Sequence, residues 1–381
     1  MEISARALNR STLGRQLLLQ RESLPASAAV RRVVALQSQH PASPYLALWN
    51  RLTTFQAADL DAAFASYTVV RSTLLRITMH AVHADDYPDF REAMEPSLRA
   101  ARLRDRRFSA SGLTPEDVDA LLPELLDFAT QPRTPAEFQE WFDERIGAPT
   151  HPGVWWALRQ YAPFWHAPTG EPWSFESQRM YVAASTRPTL ADPNASEPAL
   201  QRLIKRYLEG FGPASVADMA QFAMVLRSRA RAAVQALGDE LEQLRGPNRA
   251  ILYDLPGISR PDEETPAPPR LLPMWDNVLL AYVDRSRVIP DAYRKVVTRI
   301  NGDVLPTLLV DGYVAGVWRA VEGGIEATAF HPLSDDVWHA LAAEARSLLA
   351  LLAERETDVY RRYGHWWSKL PSAETRLLPA D

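Results

Sequence analysis

Two glutamines one residue apart, Gln37 and Gln39 in Leu36-Gln-Ser-Gln-His40, are the side chains whose type and spacing point most directly to chemistry. Each offers a carbonyl oxygen that accepts and an NH2 that donates, so a pair can orient a water or a polar ligand. Glutamine is a poor base, which leaves positioning and electrostatic roles rather than proton abstraction. In a regular helix side chains at i and i+2 diverge by about 200°. Both can face one substrate only at a helix end or in a turn, and His40-Pro41 favours a helix end because the residue before proline avoids the helical region. Further candidates for meeting a substrate are Arg76, Thr78 and His80, which alternate along one predicted strand, Asn50 on the helix after the glutamines, and Lys295, Arg299 and Asn301 around a predicted hairpin. Each has a plain alternative: surface or capping amides, an exposed polar strand face, a solvated turn. His80 reads equally as a base, a water-orienting group or a structural histidine, and Trp275-Asp276-Asn277 reads as a packing corner.

Most other enzyme chemistry is excluded by inventory. The 381 residues contain no cysteine, so disulfides, thiol nucleophiles and thiolate metal sites are absent. The eight histidines lack the H-E-x-x-H or H-x-E spacing of metal sites. No glycine-rich phosphate loop and no G-x-S-x-G elbow occurs. The expectation is an activity with no metal and no cofactor. A net charge of −5 argues mildly against nonspecific nucleic-acid binding, but distribution counts for more. Arg91, Arg99, Arg102, Arg104, Arg106 and Arg107 fall in one stretch and Arg227, Arg229 and Arg231 in another. No run of apolar residues is long enough to span a bilayer, and the amino terminus lacks a signal-peptide pattern, so a soluble, cytoplasmic chain is expected.

The elements that would position these residues form several units, since 381 residues exceed one compact core. Apolar positions predict helices over 3–19 and from Ala26 to about Leu36, then one from Ser43-Pro44 and one from Gln56 to Phe64. The alternating segments at 68–74 and 76–82 read as a hairpin, and helices followed by a hairpin make a winged helix. Thr114 and Thr134 open two more helices as caps, the aromatic stretch Val154 to Trp165 reads as strand, and Met180 to Ala183 closes a second wing. Leu200 to Leu208, a Gly212-Pro-Ala-Ser215 turn and Val216 to Phe222 give helix-turn-helix geometry. After the proline-rich 261–269, alternating segments at 277–282, 295–300, 304–310, 313–320 and 325–330 predict a small antiparallel β-barrel, with Asn301-Gly302 as a hairpin turn. A helix from about Ser334 to Arg362 ends the series. The predicted class is α+β: winged helices over 1–110, 111–195 and 196–260, a barrel over 261–335 and a C-terminal helix over 336–381.

By itself the Q-x-Q tripeptide is near chance expectation, but its surroundings are specific. Leu36-Gln-Ser-Gln-His-Pro-Ala-Ser-Pro-Tyr-Leu-Ala-Leu-Trp-Asn-Arg-Leu52 resembles the signature of the AlkZ-like DNA glycosylases, a helix-turn-helix superfamily that includes YcaQ-type enzymes. Val70 to His80 with Asp86, Arg206-Tyr-Leu-Glu-Gly-Phe-Gly-Pro-Ala-Ser-Val-Ala-Asp218, and Arg270 to Asn277 with Asp284-Arg285 resemble further family segments in the same order. The Q-x-Q form, without a carboxylate at its second position, is most similar to the azinomycin-resistance branch. The resemblance implies tandem winged helices and a barrel around a DNA channel, Gln37 and Gln39 as catalytic residues, and hydrolysis of the N-glycosidic bond of N7-alkylguanines, crosslinked ones included. It further implies a monomer on alkylated or crosslinked double-stranded DNA, serving self-resistance to an alkylating antibiotic. The chemistry is self-consistent, because an N7-alkylated guanine is already cationic and departs without an acid, leaving positive charge on the sugar for neutral amides to stabilise. The competing expectation is a nonenzymatic winged-helix regulator or drug-sequestering protein.

Overall fold

The computed structural model describes residues 2–175, 178–185 and 194–379. The part of the predicted second unit at 186–193 lies outside them. The chain opens with α1 (Ala5–Arg15), capped by Ser4, and α2 (Ala26–Arg32). The second of these stops earlier than its apolar pattern suggests. Val34 takes a left-handed conformation (φ 75°), a strained one for a β-branched residue, and turns the chain into the short strand β1 (Leu36–Gln37). Gly210 makes room for this turn, since a Cβ there would stand 2.5 Å from Val34 Cγ2. The glutamine motif thus begins on a strand and not at a helix end; the strand stops at Gln37, and Gln39 lies beyond it in a bend, so the two side chains are not bound to one face.

Next come α3 (Ser43–Trp49), with proline in its first turn, and α4 (Ala57–Ala65). Strands β2 (Val69–Leu74) and β3 (Thr78–His83) form the predicted hairpin, with β1 on the outer edge of β3. Helices α5 (Tyr87–Leu103), α6 (Arg106–Ser109), α7 (Pro115–Phe128), α8 (Pro135–Ile146) and α9 (Pro152–Tyr161) follow, α7 and α8 opened by the capping boxes Thr114/Asp117 and Thr134/Glu137. The aromatic stretch expected as strand is therefore mostly helix. Its buried positions, Val154, Ala157, Leu158 and Tyr161, recur at helical spacing, which outweighs the strand preference of its tryptophans. Only β4 (Phe164–His166) and β5 (Tyr181–Ala183) are extended, and they add to the first hairpin in the order β1-β3-β2-β4-β5 rather than making a wing of their own.

The stretch expected as helix-turn-helix contains α10 (Ser196–Phe211), α11 (Val216–Ala223) with a Ser215/Asp218 capping box, and α12 (Arg227–Leu237), followed by the hairpin β6 (Glu242–Arg245) and β7 (Ile251–Asp254). Beyond it, β8 (Arg270–Leu272), helix α13 (Asp291–Val297), β9 (Thr307–Val310), β10 (Tyr313–Val321), β11 (Gly324–Ala329), helix α14 (Asp335–Ala353) and β12 (Glu374–Leu378) complete the chain. The expected barrel is not formed among the described residues. The five strands lie in the open order β12-β11-β10-β9-β8. Two of the strands needed for closure are other structures: Asn277–Leu279 is a 3-10 turn capped by Asp276, and 295–300 runs from the end of α13 into a turn. The C-terminal helix is also shorter than its pattern, and the chain returns as β12 to pair with β11.

Packing does not follow chain order. One core joins α1 to α4 with the second sheet and α14; the other joins the β2–β3 hairpin with α5 to α12. The amino-terminal segment is thus shared between cores. Two buried ion pairs make the same long-range connections: Arg51 donates both Nη atoms to Asp276 at 2.8 Å, and Arg15 donates to Asp254 at 2.7 and 2.8 Å. Removing one partner of such a pair would strand a buried charge and cost about 3–5 kcal/mol.

Candidate active site

The site forms where β1 lies against β3. Gln37 pairs in register with His80, and the backbone continues one residue further with Ser38 N–H donating to Met79 O at 2.8 Å. Gln37 is only 7% exposed, whereas Gln39 is exposed at the end of the strand.

Around Gln37 lies a closed polar cluster centred on Arg76. The Arg76 Nη2 donates to Gln37 Oε1 at 2.6 Å and to Asn277 Oδ1 at 2.9 Å, and lies 3.2 Å from His80 Nε2. Asn277 in turn donates to the Ala35 carbonyl at 2.7 Å, in the connection that launches β1. His80 Nδ1 sits 3.1 Å from the Thr78 carbonyl, which can only accept, so Nδ1 carries the proton and the Nε2 lone pair faces Arg76. Burial, reinforced by the Arg76 charge, holds the imidazole well below its ordinary pKa, so His80 is neutral. Burial and the neighbouring Arg285 push the Arg76 guanidinium down to about 9. Arg76 reaches this position because it is not part of β3. Arg76 and Ile77 are both left-handed (φ 55° and 56°) at the hairpin tip, a conformation that costs on the order of 1–3 kcal/mol per residue and folds the side chain inward.

Gln39 faces a different environment, a cleft of about 480 Å³ lined also by His40, Thr73, Thr78, Met79, His166, Phe175, Tyr181 and four arginines, Arg71, Arg159, Arg179 and Arg362. No carboxylate is among the lining residues described. The positive field shows in the neighbours. Burial, then Arg362 and Arg71, depress His40 to about 4, and burial, then Arg71, Arg179 and Arg159, depress His166 well below its usual value. Arg71 is anchored through Nη2 to the Ser38 carbonyl at 3.0 Å, between the two glutamines, and lies over the Phe175 ring. An open, cation-lined cleft of this kind is suited to an anionic backbone.

The sequence candidates therefore divide. Gln37, Arg76 and His80 come together, and Gln39 and Thr78 share the cleft. Asn50 belongs to neither. It is fully buried and donates to the Leu46 and Leu271 carbonyls at 2.9 and 2.8 Å, joining α3 to the second sheet, so it is neither a surface amide nor within reach of a substrate. Arg299 and Asn301 sit on a separate turn, where Arg299 lies over the Trp366 ring and Asn301 bonds to Asp303. Asn277 and the cleft arginines outside the hairpin escape local sequence reasoning. Asn277 lies in a segment read as a packing corner, and its partner is 242 positions away. Asp86 and Arg206, quoted as motif residues, pair with each other at 3.0 Å and tie α10 to the start of α5.

The fold and this amide-centred site define the chain as a member of the AlkZ-like DNA glycosylase family, whose model matches residues 30–351. It is accordingly a DNA glycosylase, an enzyme acting on the bond between base and sugar, and DNA is its substrate; the regulator reading gives way. The interstrand DNA cross-link repair glycosylase of Streptomyces sahachiroi is 23% identical over 354 residues, covering 87% of this chain and 91% of that protein. The solved structure of Streptomyces sahachiroi DNA glycosylase AlkZ superposes with a TM-score of 0.75 at 20% identity, over 93% of this chain and 98% of that one, and shares its mixed α+β fold. Among the described residues no helix is long and apolar enough to cross a membrane.

Proposed function

We propose that the enzyme is a monofunctional glycosylase that hydrolyses the N-glycosidic bond of N7-alkylguanines in double-stranded DNA, interstrand crosslinks included. The crosslink reading follows the relative's name, an interstrand DNA cross-link repair glycosylase; in the same reading the enzyme is a cofactor-free monomer that protects its host from an alkylating antibiotic, as the resemblance of the Q-x-Q form implies. The observation that carries the reading is the cleft beside Gln39, with four arginines and no carboxylate among its described lining. Such a cleft draws in the phosphate backbone, and the neutral amide beside it suits a base that is already cationic and leaves without protonation. Gln37 and Gln39 then act as neutral organisers of the oxocarbenium-like sugar and the attacking water. His80, with its lone pair turned to Arg76, is not the proton carrier.

In this reading Thr78 contacts the strand at the cleft, and the turn carrying Arg299 and Asn301, with Ile300 fully exposed at its tip, probes a groove. The helices and hairpins over 1–110 and 196–260 serve as winged-helix units beside a DNA channel, with the helices over 111–195 packed on the first of them through the shared sheet. The test is release of 7-methylguanine from methylated duplex DNA. Gln37→Ala and Gln39→Ala are expected to lose most base release while keeping DNA binding. Full activity in both variants overturns the assignment, and a borohydride-trapped adduct overturns the monofunctional mechanism.

A further inference from the structure

Arginine can only donate, so the Gln37 atom 2.6 Å from Arg76 Nη2 must be the amide oxygen, and the Nε2 amine must point the other way. Nε2 has no protein acceptor among the described residues and is not among the buried unpartnered atoms, so it keeps access to solvent. The orientation is held firmly. Two Nη2 hydrogens are shared by three acceptors, on Gln37, Asn277 and His80, and the neutral His80 can hold no proton at the nitrogen facing Arg76. Asn277 is itself pinned to the Ala35 carbonyl, and Phe222 lies under the guanidinium at 5.5 Å. No carboxylate pairs with Arg76 among the described residues, and its Nη1 is buried without a partner. A half-buried cation without a counter-charge among the described residues, one of its nitrogens buried and unpartnered, on a strained turn is a costly way to build a hairpin, so its use is sought in what it holds.

We infer that Arg76 is a positioning residue: by donating into the Gln37 carbonyl it makes Gln37 meet the substrate as a hydrogen-bond donor through Nε2, and leaves the acceptor role to Gln39. The inference rests on the reading that Gln37 takes part in base release. A donor at Gln37 suits an oxygen of the DNA, a phosphate or a sugar oxygen, or the lone pair of the attacking water. The exposed Gln39 amide is free to turn its carbonyl toward the developing positive charge.

The experiment is single-turnover release of 7-methylguanine at saturating enzyme, with Kd for the same duplex measured alongside. Full activity in Gln37→Ala overturns the underlying reading. With Gln37→Ala slowed, Arg76→Met is expected to reduce the saturated rate on the order of 100-fold with Kd unchanged. The double variant Gln37→Ala/Arg76→Met should then be no slower than Gln37→Ala, because Arg76 acts through Gln37. Gln37→Glu keeps the length and the Arg76 contact but has no amine, so it should be as slow as Gln37→Ala. Fast release by Gln37→Glu, additive losses in the double variant, or a loss of affinity without a loss of rate in Arg76→Met each overturns the positioning role. Gln37→Glu retains Arg76, so it decides the question even where Arg76→Met does not fold.

Discussion

The two glutamines are chemically identical and two residues apart, yet they occupy opposite kinds of environment. Gln37 is enclosed with Arg76, His80 and Asn277, with its carbonyl already committed; Gln39 stands in an open cleft among arginines. The difference teaches that the chemistry of an amide pair is set by what holds each amide, as the roles of paired carboxylates are set by their surroundings. It also shows the end of one short strand separating an enclosed, preorganised amide from one exposed in an arginine-lined cleft.

The sharpest way to break this comparison is to give each side the same substitution. Gln37→Glu is expected to lose on the order of 100-fold in saturated release, whereas Gln39→Glu, which keeps acceptors amid the arginines, should stay within about tenfold of wild type. Equal losses would erase the distinction. A pH titration of thermal stability examines the histidines on both sides. His40 is depressed in the folded chain to about 4 from 6.5, so only the unfolded chain binds its proton between those values. Stability is full above pH 6.5 and falls by up to about 1.4 kcal/mol per pH unit on the way down to about 4; the buried His80 and the half-buried His166 act in the same direction. A melting temperature that rises on acidification through this window would contradict their neutral burial.

Asn277→Ala loosens the enclosed side alone, removing an acceptor for Arg76 and the donor to Ala35. It should cost about 1–3 kcal/mol of stability and slow release roughly tenfold without changing Kd. The smallest effect belongs to the open side. Arg159→Ala or Arg179→Ala should weaken DNA binding by only a few-fold at physiological salt and lower the slope of log K against log salt by about 0.9 each, with the saturated rate unchanged. A rate effect there would mean that the cleft arginines organise the chemistry as well as the backbone.

What the sequence made legible was local. Capping signals located the starts of α7, α8 and α11, the turn at Gly212 to Ser215 stood where expected, and the β2–β3 hairpin was readable from its alternation. The motif itself was visible, but its conformation was not, because the left-handed Val34 that ends α2 early has no signature in a run of apolar residues. Arg76 was expected to look outward with Thr78 and His80. Two consecutive left-handed residues at the tip rotate it inward, and β-strand alternation cannot anticipate them. Asn50 looked like a surface amide on an amphipathic helix, yet the second sheet covers it through Leu271, a contact 221 positions away. Strand count failed for a related reason: Asp276, which caps the turn that replaces a strand, is held by Arg51 from the other end of the chain.

That sharing of the amino-terminal segment between two cores gives the enzyme a built-in order of assembly during synthesis. The strand that opens the glutamine motif leaves the ribosome first, but Asn277, which fixes the carbonyl of Ala35 beside it, emerges 242 residues later, a delay of roughly 10–50 s at ordinary translation rates. Until then Gln37 and Gln39 exist only as a motif, and a nascent or prematurely ended chain carries the two glutamines without the enclosure that holds Gln37.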